Sequence, residues 1–312
     1  VSKLDLIGRR LLHLIPVLIG ISIISFLLVH LSPGDPIRLL LGNRATETTI
    51  AAVREHYGLD LPLFEQYFVY IRNLLHGDLG NSLRYELPVS QLLWTFMPRT
   101  LFLAVYVLCI SIPLALGLAV LAARKQGRLV DHVIRFLSVC GMTIPVFWLA
   151  IILLRVFSVN LGWFPVSGYG QTFAEHLHHL FLPAVSTSAW LVPLLLRNLR
   201  AEILQQLEAD YTVASQSKGL PERYIFTRHV LKNSILPTLN LLGVMVVFLI
   251  AGSVVVEVVF AIPGLGLLMV QSILARDYYV VQGITLFFAL FTVLVTLAID
   301  ILSALIDPRV MQ

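Results

Sequence analysis

Charge is what this chain lacks most. Only 13% of its 312 residues are Asp, Glu, Lys or Arg and 58% are hydrophobic, against about 25% charged in an ordinary soluble domain. That balance excludes a water-soluble globule of this length, since too little polar surface remains to wrap one; lipid is the solvent for most of the chain. Cysteine is scarce too. Cys109 and Cys140 both fall inside apolar runs, at no spacing that a disulfide framework or metal site uses, and read as small buried hydrophobes. The net charge is a modest +4, and the basic residues stand singly or in small groups without interleaved aromatics, which excludes a nucleic-acid surface. There is no glycine-rich loop ending in Lys and Ser or Thr, so no phosphate cradle, and no nucleophile–base pair in a recognisable context. No catalytic residue is assigned. Internal repeats and low-complexity tracts are absent as well.

What the chain has instead is long apolar runs. A bilayer core of about 30 Å needs about 20 apolar residues in a helix, and six segments reach that length: Leu11 to Leu31, Leu101 to Ala123, Ile134 to Val159, Leu180 to Leu196, Leu239 to Phe260 and Gln282 to Ile306. The first follows Lys3, Arg9 and Arg10 but is too long for a signal peptide, with no small-residue cleavage site after it, and is expected to stay as a helix. Pro16, Pro113, Pro145, Pro183 and Pro193 predict kinks. Lysine and arginine collect around 124–135 and 197–232, whereas Asn160 to His179 has none, which predicts both termini on the cytoplasmic side. The segment 32–99 holds six arginines, but segments of that length cross largely regardless of charge. It is expected to fold outside the membrane, with Leu63, Tyr67, Tyr70 and Leu74 at helical spacing.

Ionisable residues inside spans are costly and therefore functional candidates: Arg155, Glu257 and Asp300. The fifth span runs outward and the sixth inward, so Glu257 and Asp300 belong to opposite leaflets, which argues against the proton relay of an ion-coupled secondary carrier. Arg155 falls at about the depth of Glu257; the two form an ion pair, or Arg155 reaches lipid headgroups while Glu257 faces a hydrated vestibule. His176, His178 and His179 cluster in an outer loop, as a metal site or as ordinary solvated histidines.

The most informative stretch is polar and lies between the fourth and fifth spans. Ile203, Leu207, Tyr211 and Ala214 share one face of a helix expected over Ala201 to Lys218. Gly219 and Pro221 then read as its stop, and a second helix is expected from Glu222 to about Leu236. An amphipathic helix on the membrane surface and a docking helix for a partner both fit this pattern.

The run from Asp210 to Leu220, DYTVASQSKGL, followed by Arg228 to Pro237, RHVLKNSILP, resembles the cytoplasmic coupling loop of ATP-binding-cassette importer permeases, in particular those for dipeptides, oligopeptides, glutathione and nickel. The resemblance extends along the chain through Gly34-Asp35-Pro36, Gly58-Leu59-Asp60, Gly77-Asp78-Leu79-Gly80, Phe260-Ala261-Ile262-Pro263-Gly264 and Asp307-Pro308-Arg309. Val213-Ala214-Ser215 departs from the Glu-Ala-Ala of the general importer motif, and the interval from Gly219 to Pro237 is longer than in sugar importers.

The resemblance implies an all-α integral membrane protein with six transmembrane helices, the type I importer permease fold. Its expected parts are an N-terminal tip and first helix (1–31), an extracytoplasmic segment (32–99), a five-helix core (100–306) containing the coupling loop (197–237), and a cytoplasmic tail (307–312). It further implies a second homologous permease subunit, two ATPase subunits that bind ATP and Mg, and an extracytoplasmic solute-binding protein, all at the bacterial inner membrane. No cofactor is expected in this chain. Leu207, Asp210, Tyr211, Ala214, Lys218 and Gly219 are the implied ATPase-coupling residues. The implied cargo is dipeptides or oligopeptides, with glutathione, nickel or a metal chelate as alternatives.

Overall fold

A computed structural model describes residues 16–27, 61–82 and 84–306, the last three without side-chain detail. The motifs at Gly34, Gly58 and Asp307 and both ends of the first span lie outside the described residues. The described residues form helices and no strand beyond a single bridge between Asn81 and Pro88. In chain order the helices are α1 (Pro16–Leu27), α2 (Leu63–Leu75), α3 (Val89–Arg124), α4 (Leu129–Thr143), α5 (Val146–Leu153, prolonged by a π turn over Leu154–Asn160), α6 (Phe173–Leu207), α7 (Asp210–Ser217), α8 (Glu222–Val259), α9 (Leu265–Leu274) and α10 (Tyr278–Ile306).

Four of these, α3, α6, α8 and α10, are long and apolar enough to cross a membrane. The third expected span is not straight. Its residues form the pair α4 and α5, bent by 97° at a short break where Ile144 and Pro145 are extended. Proline locks its own φ and pushes its predecessor out of the helical region, so a sharp corner replaces the expected kink. Prolines inside α6 and α8 behave differently. Pro183, Pro193 and Pro237 sit within continuous helix, and Ser186 and Thr187 donate their hydroxyls to the Pro183 carbonyl at 2.8 and 2.9 Å. These bonds land on the proline's own carbonyl, whereas the carbonyl that loses its usual helical donor to Pro183 is that of His179, one turn earlier.

The chain divides into two compact units. In the first, residues 100–262 and 294–306, α6 is the central element: two thirds of its most apolar window is buried, against about a tenth for α10. Leu180, Leu191, Leu196 and Ile203 are wholly buried along it. Small residues set the close approaches. A Cβ on Gly141 of α4 would meet the Ala189 carbonyl of α6 at 2.8 Å, and one on Gly243 of α8 would meet Ile299 of α10 at 2.7 Å. Gly141 thus lets α4 reach the backbone of α6 and Gly243 makes room for the Ile299 side chain, close packing that holds apolar helices together where burial from water supplies no driving force.

The second unit, residues 16–99 as described and 263–293, has its own core of Val89, Leu92, Leu93, Leu265, Leu268, Val280 and Ile284. The loop before α3 is fixed to the start of α10 by the buried Asp277, whose Oδ2 accepts from Ser82 Oγ at 2.6 Å and from the Arg84 N–H at 3.2 Å. The expected outer helix is α2, which rests on α1 through Ser22 Oγ and Tyr67 OH at 2.8 Å and an edge contact of Phe26 with Tyr67. Burial pushes the Tyr70 hydroxyl on the same face above its usual range.

Candidate functional site

The polar stretch between the fourth and fifth spans is built differently from the single helix over Ala201 to Lys218 that its periodicity predicts. Helix α6 stops at Leu207, Ala209 is extended (φ −69°, ψ 144°), and α7 starts afresh at Asp210. The Thr212 hydroxyl, wholly buried, donates to the Gln206 carbonyl at 2.7 Å and so takes one of the acceptors that the end of α6 leaves open. Tyr211 OH also donates to Gln206 Oε1. The break turns the expected stripe apart. Ile203 stays in the core and Leu207 is half-buried, whereas Asp210, Tyr211 and Ala214 on α7 and Lys218 just after it are exposed.

The end of α7 follows from Gly219. Its φ of +74° is the left-handed conformation that glycine adopts without penalty. Two reverse hydrogen bonds, Gly219 N–H to Gln216 O at 2.9 Å and Leu220 N–H to Ser215 O at 3.4 Å, close the cap. The chain then turns at Pro221 into α8, where the expected helix to Leu236 instead continues through a π turn at Phe226–Val230 and past Pro237 to Val259. His229 meets both Tyr211 and Tyr224, with ring centroids 6.4 and 5.8 Å apart, so α7 is folded back on the start of α8. Tyr211, Val213, Leu220 and Tyr224 remain 37 to 52% exposed, an apolar patch on a short, well-capped projection.

Beside this projection lies a contact that sequence reasoning missed. Asp131, at the start of α4 and 1% exposed, accepts two hydrogen bonds from Arg200 of α6: Nε to Oδ1 and Nη2 to Oδ2, each 2.8 Å. The Gly127 N–H donates to Oδ2 at 3.1 Å, and Arg135 Nε stands 3.6 Å from Oδ1. Arg124, at the end of α3, places its guanidinium 4.4 Å from the centroid of Phe226 at the start of α8. The only sequence signal was the Asp131/Arg135 spacing of four; the Asp131–Arg200 pair is separated by 69 residues.

The three intramembrane candidates are not brought together. Glu257 is wholly buried on α8 and accepts from Thr100 Oγ1 at 2.8 Å and from Ser253 Oγ at 3.3 Å. Arg155 is exposed on the π turn after α5 and no ion pair joins it to Glu257 among the described residues; Glu257 faces no hydrated vestibule either, being wholly buried. Asp300 is half-buried on α10. There Ser303 donates to Asn240 at 2.9 Å and Ile299 abuts Gly243, so Asp300 is level with a part of α8 about 21 Å from Glu257 at 1.5 Å per residue. A direct relay between the two acids has no geometry to use.

The three histidines near the start of α6 bond to the backbone of the loop before it. His176 Nδ1 donates to Tyr169 O at 2.8 Å, His178 Nε2 to Trp163 O at 2.9 Å and His179 Nδ1 to Ser167 O at 3.0 Å. A carbonyl only accepts, so each contacting nitrogen carries the proton. The first turn of α6 thereby holds the 161–170 loop at three points, and Thr172 and Glu175 cap the helix reciprocally through Glu175 N–H to Thr172 Oγ1 and Gln171 N–H to Glu175 Oε2. Among the described residues no three His, Cys, Asp or Glu gather as a metal-binding group.

Two family models cover nearly the whole sequence: residues 115–312 match the binding-protein-dependent transport system inner membrane component, and residues 3–104 match its N-terminal part. The chain belongs to this family of ABC importer permeases. The oligopeptide transport system permease protein AppB of Bacillus subtilis is 37% identical to the permease over 308 residues, 97% of this chain and 98% of that protein. The glutathione transport system permease protein GsiC of Salmonella choleraesuis is 37% identical over 307 residues, 98% of this chain and 99% of that protein. A crystal structure of an amino acid ABC transporter shares the fold with a TM-score of 0.52 at 16% identity, covering 70% of this chain and 94% of its own. The permease is thus a multi-pass inner-membrane transport subunit, of a class that works with ATPase and binding-protein partners.

Proposed function

We propose that this permease forms half of a translocation pathway for dipeptides or oligopeptides, paired with a second homologous permease and driven by two ATPase subunits that dock on α7. Both termini are cytoplasmic in this reading, as the lysine and arginine of 124–135 and 197–232 favour. ATP and Mg are bound by the ATPase subunits, since this sequence has no phosphate-cradling loop. A solute-binding protein delivers cargo from the other side.

The observation that carries the reading is α7 itself: an eight-residue helix, set off from α6 by a break, capped by Gly219, and presenting Tyr211, Val213 and Ala214 outward. An apolar patch on such a projection needs a surface to bury against. The experiment is a cross-link combined with uptake. A cysteine at Ala214 is expected to cross-link to an ATPase subunit in the assembled importer, and cells carrying the importer are expected to take up radiolabelled di- and tripeptides in an energy-dependent way. Absence of the cross-link removes the coupling assignment. Uptake of labelled glutathione in place of peptides establishes the second reading, which the GsiC relative favours.

A further inference from the structure

We infer that the Asp131–Arg200 ion pair makes the elbow between α3 and α4 part of the rigid body that carries α7, so that a stroke applied at α7 reaches the second and third spans directly. The inference rests on the reading of α7 as the ATPase contact. By chain connectivity alone a push on α7 moves α6 and α8, the two helices it joins. The elbow is not connected to α7 in this way, yet it is held to both flanking helices: to α6 by the Arg200 fork on Asp131 and to α8 by Arg124 over Phe226.

Two features make the first of these contacts a strut rather than a surface attraction. The guanidinium meets the carboxylate through two parallel hydrogen bonds, which fix orientation as well as distance. The carboxylate is 1% exposed and takes a third bond from the Gly127 N–H, so the elbow backbone is tied to the same group and water does not screen it. Arg200 is eight residues before Glu208, where α6 gives way to α7, a lever of about 12 Å of continuous helix. Asp131 and Arg200 are positioning residues in this scheme; neither touches the transported solute.

The test measures whether the elbow moves with α7. Spin labels at Gln126 and Gln216, both exposed, are placed in the assembled importer after Cys109 and Cys140 are replaced by alanine, and their separation is measured without nucleotide and after trapping with ATP and vanadate. In the otherwise unaltered permease the distance is expected to keep its mean and width in both states, within the ~1.5 Å rise of one helical residue. With Asp131→Leu and Arg200→Met together, which leave no lone buried charge, the trapped state is expected to shift or broaden beyond that while the nucleotide-free state changes less. Arg200→Lys keeps the charge and loses the fork, and is expected to fall between.

A shift on trapping in the unaltered permease overturns the inference, as does equal broadening of both states in the variants, which marks a purely static contact. The Ala214 cross-link separates this result from the reading beneath it. With the cross-link intact, a failed distance test removes the strut alone; with the cross-link absent, the ATPase contact falls and the strut loses its input.

Discussion

Thr100 Oγ1 donates a 2.8 Å hydrogen bond to Oε1 of Glu257, and both side chains are wholly buried. A carboxylate at that depth survives only where fixed donors replace the water it has lost, and a threonine on α3 does so without adding charge. Removing the hydroxyl while keeping the shape isolates this contribution. Thr100→Val is expected to lower stability by about 1.5–3 kcal/mol, the usual worth of one hydrogen bond to a charged group, with Ser253 still donating to the same oxygen, and Thr100→Ser by much less. Unfolding of the purified permease in detergent checks it; equal stability of Thr100→Val and the parent contradicts it.

Gly219 separates conformational strain from crowding. Its φ is +74° and a Cβ there would meet nothing within 4 Å, so any penalty comes from the backbone alone, about 1–2 kcal/mol for an ordinary L residue. Gly219→Asn is expected to retain most uptake, because asparagine tolerates the left-handed region, and Gly219→Val to lose it while the chain still inserts. Peptide uptake by cells with matched membrane levels of each variant decides; equal transport by both removes the cap from the coupling mechanism.

That cap was legible in the sequence, and the break before α7 was not. Glycine followed two residues later by proline announces a stop by the conformations each allows. Glu208-Ala209 announces nothing: alanine is a good helix former, and the apolar spacing of Ile203, Leu207, Tyr211 and Ala214 runs through the break unchanged. What marks the stop is the Thr212 hydroxyl on the Gln206 carbonyl, a contact only the folded chain displays. Four spans, α3, α6, α8 and α10, were readable because lipid demands a long apolar run, and Pro145 marked the place of the bend between α4 and α5 but not its 97°. Asp131 and Arg200 were individually visible as charges beside spans. Their pairing depends on how α4 crosses α6, which no local pattern encodes.

The crossing of α4 over α6 yields a packing prediction. At Gly141 the nearest obstacle to a Cβ is the Ala189 carbonyl at 2.8 Å, a backbone atom that cannot rotate away, whereas Gly252 on α8 has nothing within 4 Å. Gly141→Ala is expected to destabilise by about 1–3 kcal/mol through forced separation of the two helices. Gly252→Ala is expected to be neutral or slightly stabilising, since alanine is the better helix former. Comparable melting of the two variants contradicts the close approach.

Sidedness gives the last prediction, and the structure guides where to place the probes. Gly168 is a poor site in the 161–170 loop, since its φ is +94° and its N–H is bonded to Phe260 O at 3.2 Å. Val166 is better, being half exposed and flanked by the carbonyls that His178 and His179 hold. On α7, Gln216 is exposed, and its side chain makes no hydrogen bond among the described residues. In a background with Cys109 and Cys140 replaced by alanine, a cysteine at Val166 is expected to react with a membrane-impermeant maleimide in spheroplasts. One at Gln216 is expected to react only after the membrane is permeabilised, because the basic residues of 124–135 and 197–232 favour retention on the cytoplasmic side. The histidine contacts sharpen the first arm: His178→Ala should free the loop and speed labelling at Val166 without exposing Gln216. Labelling of Gln216 in intact spheroplasts, with Val166 protected, inverts the topology and places α7 out of reach of any ATPase.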